Sequence, residues 1–176
     1  MAKSSKDEIE KDVQNVIYEL EKNSNRSVNE IAEKLGFSRQ KIWRIIKDLE
    51  NDNTIWGYTA IVDDSKIGRK RFFILLKKAH IPAKEEKLDI VVNREFIQIA
   101  KKFGVQLEST YFLHGSYDGF LCVTAENITQ VKKFIDEMNQ KLDGIYISDA
   151  NILEVLFPIE RNGFNNPNVK KFKNFF

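Results

Sequence analysis

Several residue types that define whole classes of protein are nearly missing from this chain. Cys122 is the only cysteine among 176 residues, so no disulfide can form within one chain and a thiolate metal site is disfavoured. The two histidines, His80 and His114, lie too far apart in the sequence to suggest a metal centre. No run of about 18 apolar residues occurs, so we expect neither a membrane span nor a signal peptide. We therefore predict no metal, no cofactor, no membrane partner and a cytoplasmic location.

Catalytic signatures are missing as well. The sequence contains no G-x-S-x-G, P-loop or G-x-G-x-x-G motif. The acidic pairs Asp63–Asp64 and Glu85–Glu86 are neighbours in sequence, and neighbouring side chains diverge, so neither resembles a general acid and base acting together. We therefore expect no enzymatic activity.

The composition fits a globular protein with local rather than global positive charge. Hydrophobic residues make up 42% of the chain, charged residues make up 31%, and the net charge is only +2. Residues 1–70 carry 13 basic and 13 acidic side chains, whereas residues 37–50 carry four basic against two acidic ones. A protein that coats nucleic acid regardless of sequence would be more basic overall, so any DNA binding must be local.

Three amphipathic helices are predicted in the first part of the chain. Apolar residues recur at helical spacing over residues 7–22. Ser27 begins a capping box that starts a second helix, and Gly36 ends that helix. Ser38 is the expected N-cap of a third helix over residues 39–50, whose outer side is basic. Together they form a helix-turn-helix, in which the last helix has the shape and charge to enter a DNA major groove.

Eight residues around the third helix are the predicted DNA-binding set. Glutamine can pair with adenine and arginine with guanine, whereas lysine most often holds a phosphate. Backbone N–H groups at a helix start can also hold a phosphate, although plain capping is the stronger interpretation of Ser27. The alternative to DNA recognition is a solvated basic face used for protein contacts. The set is Ser27, Ser38, Arg39, Gln40, Lys41, Trp43, Arg44 and Lys47.

A β-wing is predicted directly after the third helix. Thr54–Trp56 and Tyr58–Val62 alternate apolar and polar residues on either side of a glycine, as two short strands would. We expect Trp56 to pack on the helices rather than contact a minor groove. Residues 1–62 are thus predicted to be a winged helix-turn-helix domain, followed by a linker at residues 63–70.

The rest of the chain alternates between strand and helix patterns. Its order is β-α-β-β-α-β, the ferredoxin-like arrangement, so we predict an α+β protein with a second domain at residues 71–159. A basic aromatic tail follows at residues 160–176. The predicted strands are Arg71–Lys78, Val105–His114, Asp118–Thr124 and Ile145–Ile159, the last with or without an interruption at Asp149–Asn151, and the helices are Lys84–Lys102 and Asn127–Leu142.

Two of the predicted strands are apolar at consecutive positions. The segments FFILL and FLCV would place apolar side chains on both faces of the sheet. The two helices cover one face, and the simplest cover for the other is the same sheet of a second copy. We therefore predict a homodimer built through these sheets.

The two halves together resemble the Lrp/AsnC family of prokaryotic regulators, also called feast/famine regulatory proteins, and an archaeal source is expected. The matching segments are DVQNVIYEL, SVNEIAEKLGFSRQKIWRIIKDLEN, IWGYTAIVD and HGSYDGF, within residues 9–157. The resemblance implies a dimer, often assembled into tetramers or octamers, with a DNA-binding N-terminal half. It also implies a C-terminal half that senses a small molecule, commonly an amino acid, near the G-x-Y-D hairpin. Carried over to this chain, the effector residues are Gly115, Ser116, Tyr117 and Asp118.

The leading hypothesis is a sequence-specific transcriptional regulator that binds double-stranded DNA as a dimer and is modulated by an amino acid or another small metabolite. One alternative is an architectural DNA-binding protein without an effector. A second is an enzyme like the sirohaem decarboxylases, but the corresponding strands contain His114 alone and no arginine lies between Arg94 and Arg161. The tail, with four basic residues and four phenylalanines after Glu160, either contacts a partner or docks on the protein's own surface.

Overall fold

The computed structural model describes residues 6–80, 82, 84–143 and 147–176. These residues divide into two compact units. The first runs to Ile61 and includes Asn162–Phe164, and the second contains Val62–Arg161 and Asn165–Phe176. Within the described ranges, no helix is long and apolar enough to cross a membrane.

The first unit is built from helices that each have one apolar face and a local start signal. They are α1 (Lys6–Lys22), α2 (Val28–Leu35) and α3 (Arg39–Asn51). The apolar faces meet in one core around Val16, Ile31 and Ile42, whose side chains are fully buried. The predicted helix-turn-helix is confirmed, and its packing fixes which side of α3 faces outward.

The caps form as the sequence predicts. The Ser27 hydroxyl accepts a hydrogen bond from the Glu30 N–H at 3.2 Å, and the Glu30 carboxylate accepts one from the Ser27 N–H at 2.7 Å. These bonds lower the pKa of Glu30 below its usual value. Gly36 ends α2 in the left-handed conformation at φ 67°. The Ser38 hydroxyl accepts from the Lys41 N–H at 3.2 Å, which caps α3.

The two short strands predicted for the wing are not formed. Residues 54–63, all of which the structure describes, contain no strand. The Ile55 N–H donates to the Leu49 carbonyl at 2.9 Å, and Ile55 packs against the helical core. The prediction that Trp56 packs on the helices is wrong, because its side chain is 95% exposed. Alternating residues favour an extended chain, but an isolated pair of very short strands is only marginally stable.

A four-stranded antiparallel sheet forms the second unit. Its strands are β1 (Lys70–Lys78), β2 (Gln106–Phe112), β3 (Gly119–Ala125) and β4 (Ile147–Glu154). Its helices are α4 (Glu85–Val92), α5 (Glu95–Lys102) and α6 (Ile128–Lys141). The spatial order is β2-β3-β1-β4, with β1 pairing both β3 and β4. The predicted α+β class and β-α-β-β-α-β order are confirmed, with the first helix divided in two.

Most boundaries lie within one or two residues of prediction, and the larger differences concern the first helix and the last strand. The helix expected over Lys84–Lys102 is split because Arg94 adopts a left-handed conformation at φ 57° between α4 and α5. β4 continues through Asp149–Asn151, where an interruption was considered, because pairing with central β1 satisfies its backbone groups, although the register shifts between the pairs made by Lys77 and Lys78. The ladder ends at Glu154 rather than Ile159, and the expected start at Ile145 lies outside the described residues.

The helices cover one face of this sheet. Phe72 and Ile74 of β1, Val123 of β3 and Phe134 of α6 are fully buried there. The opposite face also carries apolar side chains, as the consecutive apolar residues predicted. We call it the open sheet face, and its apolar members are half-buried or exposed in the single chain: Phe73, Leu75, Tyr111, Phe120 and Leu153.

A buried group of charges lies at one end of the sheet. The Arg71 guanidinium donates to the two Asp64 carboxylate oxygens at 2.8 and 3.1 Å and also pairs with Glu108. Arg161 pairs with Asp64 at 3.3 Å and with Glu108 at 2.8 Å. The Cys122 thiol lies 3.1 Å from Arg71 Nη1 and donates to Glu108 at 3.0 Å. Cys122 is thus buried, and it lies among charged groups. These five residues are called the Arg71 network.

The tail folds back on itself and on the second unit. A short hairpin, β5 (Glu160–Arg161) and β6 (Phe164–Asn165), leads into a 3-10 helix at Val169–Phe175. The ring of Phe157 lies 6.1 Å from that of Phe172 and 5.6 Å from that of Phe175. Of the two interpretations of the tail, these contacts support docking on the protein's own surface.

A buried carboxylate in the first unit was not anticipated from the sequence. The Glu19 side chain is only 3% exposed. Its carboxylate oxygens form ion pairs with Lys34 Nζ at 2.6 Å, with Lys22 Nζ at 3.9 Å and with the guanidinium of Arg26. The hydrogen bond from Lys34 is the main cause of a lowered Glu19 pKa, with the charges of Lys34, Lys22 and Arg26 adding to it. Glu19 therefore ties α1 to α2 and to the turn before it.

We expect Glu19→Gln to lower stability at neutral pH. The pKa of Glu19 is lower in the folded state than in the unfolded state, so its carboxylate stabilises the fold at pH values above the unfolded-state pKa. This contribution is lost as the pH falls through the folded-state pKa, which lies below 4.5. The stability gap between the variant and the wild type should therefore narrow below that pH. Urea denaturation at stepped pH measures this. Glu21→Gln, at an exposed position of α1, is the control and should show no such narrowing. A gap that is constant with pH would contradict the role of Glu19.

Candidate nucleic-acid interface

Four of the predicted DNA-binding side chains surround one shallow depression on α3. Arg39, Gln40, Trp43 and Arg44 line it, and its volume is about 520 Å³. All four are exposed, with Trp43 57% exposed. They lie on two successive turns of the helix, at i, i+1, i+4 and i+5, and so share one side of it. We call this surface the α3 face.

The α3 face is held in place by the opposite side of the helix. Ile42 and Leu49 are buried against the first unit's core, and the Ser38 cap fixes the start of the helix. Its exposed side therefore offers two guanidinium groups, a primary amide and an indole on a rigid support. These groups can make paired hydrogen bonds to purine edges and apolar contact with a thymine methyl group.

The two predicted lysines on α3 are held by acidic partners. Lys41 pairs with Asp12 of α1, and its ammonium lies 3.9 Å over the ring of Phe37. Lys47 Nζ lies 2.5 Å from a Glu50 oxygen. Of the predicted set, the side chains that line the depression are therefore free of these pairings, whereas Lys41 and Lys47 are ion-paired in the free protein.

Glu50 and Tyr58 surround Lys47 next to the α3 face, and neither was predicted from the sequence as part of the site. The other Glu50 oxygen accepts a hydrogen bond from the Tyr58 hydroxyl at 3.1 Å. The hydrogen bonds from Lys47 and then Tyr58 lower the pKa of Glu50. Burial, followed by the bond to Glu50, raises the pKa of Tyr58. The i, i+3 spacing of Lys47 and Glu50 was a usable signal for their pairing, whereas nothing local to the sequence indicated Tyr58.

The remaining candidates lie at helix starts and in the second unit. Ser27 and Ser38 use their hydroxyls as caps, so a phosphate contact by either stays a prediction. Gly115, Ser116 and Tyr117 lie together in the loop between β2 and β3. The Asp118 carboxylate accepts the Lys78 N–H at 2.7 Å, which ties the loop to β1. Within the described ranges, no cluster of His, Cys, Asp and Glu could hold a metal ion.

Comparison with known proteins shows that the first unit is similar to winged helix-turn-helix domains. A family model described as winged helix-turn-helix DNA-binding matches residues 14–55. The HTH-type transcriptional regulator LrpC of Bacillus subtilis is 27% identical over 123 residues, which cover 70% of this chain and 78% of LrpC. The uncharacterised HTH-type regulator YugG of the same organism is 24% identical over 135 residues, or 76% of this chain and 78% of YugG.

Solved structures extend the similarity to both units. An AsnC family transcriptional regulator from Agrobacterium tumefaciens superposes with a TM-score of 0.61 at 24% identity, covering 85% of this chain and 91% of its own. The structure of LrpC gives 0.60 at 22% identity, covering 91% and 99%. The chain is therefore similar in sequence to LrpC and in fold to regulators of the Lrp/AsnC family. A further fold match is the Neisseria meningitidis regulator NMB0573 in complex with L-Met, with a TM-score of 0.59 at 18% identity over 90% of this chain and 94% of that one.

Proposed function

We propose that this chain is an Lrp/AsnC family member and a sequence-specific, DNA-binding transcriptional regulator that acts on double-stranded DNA in the cytoplasm. The α3 face carries the proposal, because its two arginines, glutamine and tryptophan are exposed together on a rigidly packed helix. This helix lies within the segment that matches the winged helix-turn-helix DNA-binding model. The relatives are regulators, and no catalytic chemistry is proposed for this chain.

The protein is proposed to act as a homodimer or a larger homo-oligomer. The open sheet face supports this, because the rings of Phe73 and Phe120 lie 5.4 Å apart, the rings of Tyr111 and Phe120 lie 5.9 Å apart, and Leu153 is 43% exposed beside them. An apolar sheet face of this kind is stabilised when a second copy covers it. A dimer would present two α3 faces, and its operator would be two-fold symmetric with half-sites about one helical turn apart.

Sedimentation measures this assembly directly. At micromolar concentration the wild type should sediment as a dimer or larger, and Leu153→Glu should shift it towards monomer because the new charge would lie on the open sheet face. Lys132→Glu, at an exposed position of α6 on the helical side of the sheet, is the control and should not change the assembly. A wild-type monomer would contradict the dimer.

The loop at Gly115–Asp118 is proposed to bind an amino acid or another small metabolite. The family resemblance and the L-Met complex of the Neisseria relative support this. A ligand that binds only the folded protein stabilises it by about 2.7 kcal/mol at a hundredfold excess over its dissociation constant. A thermal-shift screen of the amino acids should therefore show one that raises the melting temperature, and Ser116→Trp should abolish that rise. If no amino acid raises the melting temperature, the amino-acid effector is ruled out.

A further inference from the structure

Glu50 neutralises the lysine that continues the exposed stripe of α3. Lys47 lies three and seven residues after Arg44 and Gln40, so it extends the same side of the helix by one turn. Its ammonium is 2.5 Å from Glu50 Oε2, although both side chains remain partly open to solvent, at 47% and 30% exposure. The free protein therefore carries an ion pair at the place where a phosphate-binding lysine would be expected.

The carboxylate that holds Lys47 is itself fixed from a second direction. The Tyr58 hydroxyl donates to Glu50 Oε1 at 3.1 Å, so each carboxylate oxygen has its own donor. Tyr58 follows α3 by several residues and comes from the segment that was expected to form the wing. The Glu50 carboxylate is therefore bound from two directions, whereas an isolated surface pair at i, i+3 is bound from one.

We propose that Glu50 is a positioning residue that withholds Lys47 from DNA phosphates until α3 has engaged its correct base sequence. The proposal rests on the proposed function, since it concerns how the α3 face engages operator and random DNA. On random DNA, Lys47 stays with Glu50 and adds no phosphate contact. On the operator, base contacts by Gln40 and Arg44 hold α3 deep in the groove, where Lys47 exchanges its carboxylate partner for a phosphate.

The consequence of this arrangement is weaker DNA binding by the free protein. A lysine that is always available strengthens binding to every sequence, because phosphate contacts carry no sequence information. A paired lysine adds no contact on random DNA, and on the operator the ion pair must be broken before the phosphate contact forms. Glu50 thus lowers the affinity for both kinds of DNA and keeps Lys47 out of the non-specific complex without contacting a base.

The test compares the wild type with Glu50→Gln on a random-sequence duplex and on a selected operator duplex across a salt series. On random DNA, Glu50→Gln should bind about two- to fivefold more tightly, the range expected when one surface ion pair no longer competes. The slope of log affinity against log salt should steepen by about 0.9, which corresponds to one added phosphate contact. Operator affinity should rise by at least the same factor, because the variant no longer has to break the ion pair. The operator slope should stay unchanged, because Lys47 already contacts a phosphate there in the wild type.

Matched variants separate this role from a general charge effect. Asp48→Asn also removes one negative charge from α3. Asp48 is exposed and flanks Lys47 on the side of the helix away from Glu50, so this variant should change the random-DNA affinity and the salt slope far less. In a Lys47→Gln background, Glu50→Gln should have no effect on random DNA. Tyr58→Phe changes no charge and should move affinity in the same direction as Glu50→Gln by a smaller factor, which covers the case in which Glu50→Gln fails to fold.

Each remaining outcome counts against the proposal. If Glu50→Gln behaves like the wild type, if its effect persists without Lys47, or if Asp48→Asn reproduces it, the positioning role of Glu50 is wrong while DNA binding by α3 stands. If the folded wild type binds neither duplex at any salt concentration, the proposed function fails and the role of Glu50 fails with it.

Discussion

Replacing Arg71 by alanine is expected to lower the free energy of unfolding of the second unit by about 3 kcal/mol, towards the lower end of the range for breaking a buried ion pair. The Arg71 side chain is 8% exposed, and its removal would leave Asp64, at 17% exposure, and Glu108, at 38%, without their main cation. Arg161 would remain beside both carboxylates, which is why the expected loss is not larger.

Urea denaturation followed by far-UV circular dichroism measures the Arg71 effect. Lys70→Ala is the matched control, because Lys70 precedes Arg71 on β1 and pairs with Glu154 at 2.7 Å while 55% exposed. An exposed pair of this kind contributes about 0.2–1 kcal/mol. Equal losses in the two variants would show that burial of the Arg71 network contributes nothing.

Replacing Arg44 by alanine is expected to weaken operator binding by about 1–3 kcal/mol, or roughly 5- to 150-fold, because one base pair read through two hydrogen bonds would be lost. Gln40→Ala should act similarly at a different base. Binding to random DNA should weaken much less in both variants, since only Arg44 adds charge and phosphate contacts are spread over the interface. The ratio of operator affinity to random-DNA affinity, which we call the specificity ratio, should therefore fall strongly.

Fluorescence anisotropy with an operator duplex and a scrambled duplex of the same composition measures this ratio. Lys133→Ala removes a positive charge from an exposed position of α6 in the other unit and serves as the charge control. It should leave the specificity ratio unchanged. If Arg44→Ala and Gln40→Ala also left the ratio unchanged, the α3 face would not read bases.

Features that depend on local sequence were predictable. The Ser27 capping box, the Gly36 turn and the Ser38 cap each need only residues within a few positions of one another, and all three form. The apolar periods of α1 and α6 likewise need no tertiary information. These signals were sufficient to locate the helix-turn-helix and the order of elements in the second unit.

Features that depend on distant residues were not predictable. Arg71 and Arg161 both reach Glu108 only once the sheet and tail are folded, and Glu19 meets Lys34 across two helices. The spacing of Lys47 and Glu50 indicated their pairing, but nothing local indicated that Tyr58, eight residues further on, would also bind the Glu50 carboxylate. The winged helix-turn-helix class is confirmed by the matching family model, but the two strands expected within the wing did not form, since an alternating pattern does not supply a partner strand.

The most direct test of the central claim, sequence reading by paired α3 faces, is selection of bound oligonucleotides from a random duplex pool by the wild type and by Arg44→Ala. The wild type should enrich a two-fold symmetric motif whose half-sites are about 10 base pairs apart. Arg44→Ala should enrich the same motif with one position in each half-site no longer specified. No enriched motif, or a motif that is identical for both proteins, would contradict sequence reading through the α3 face.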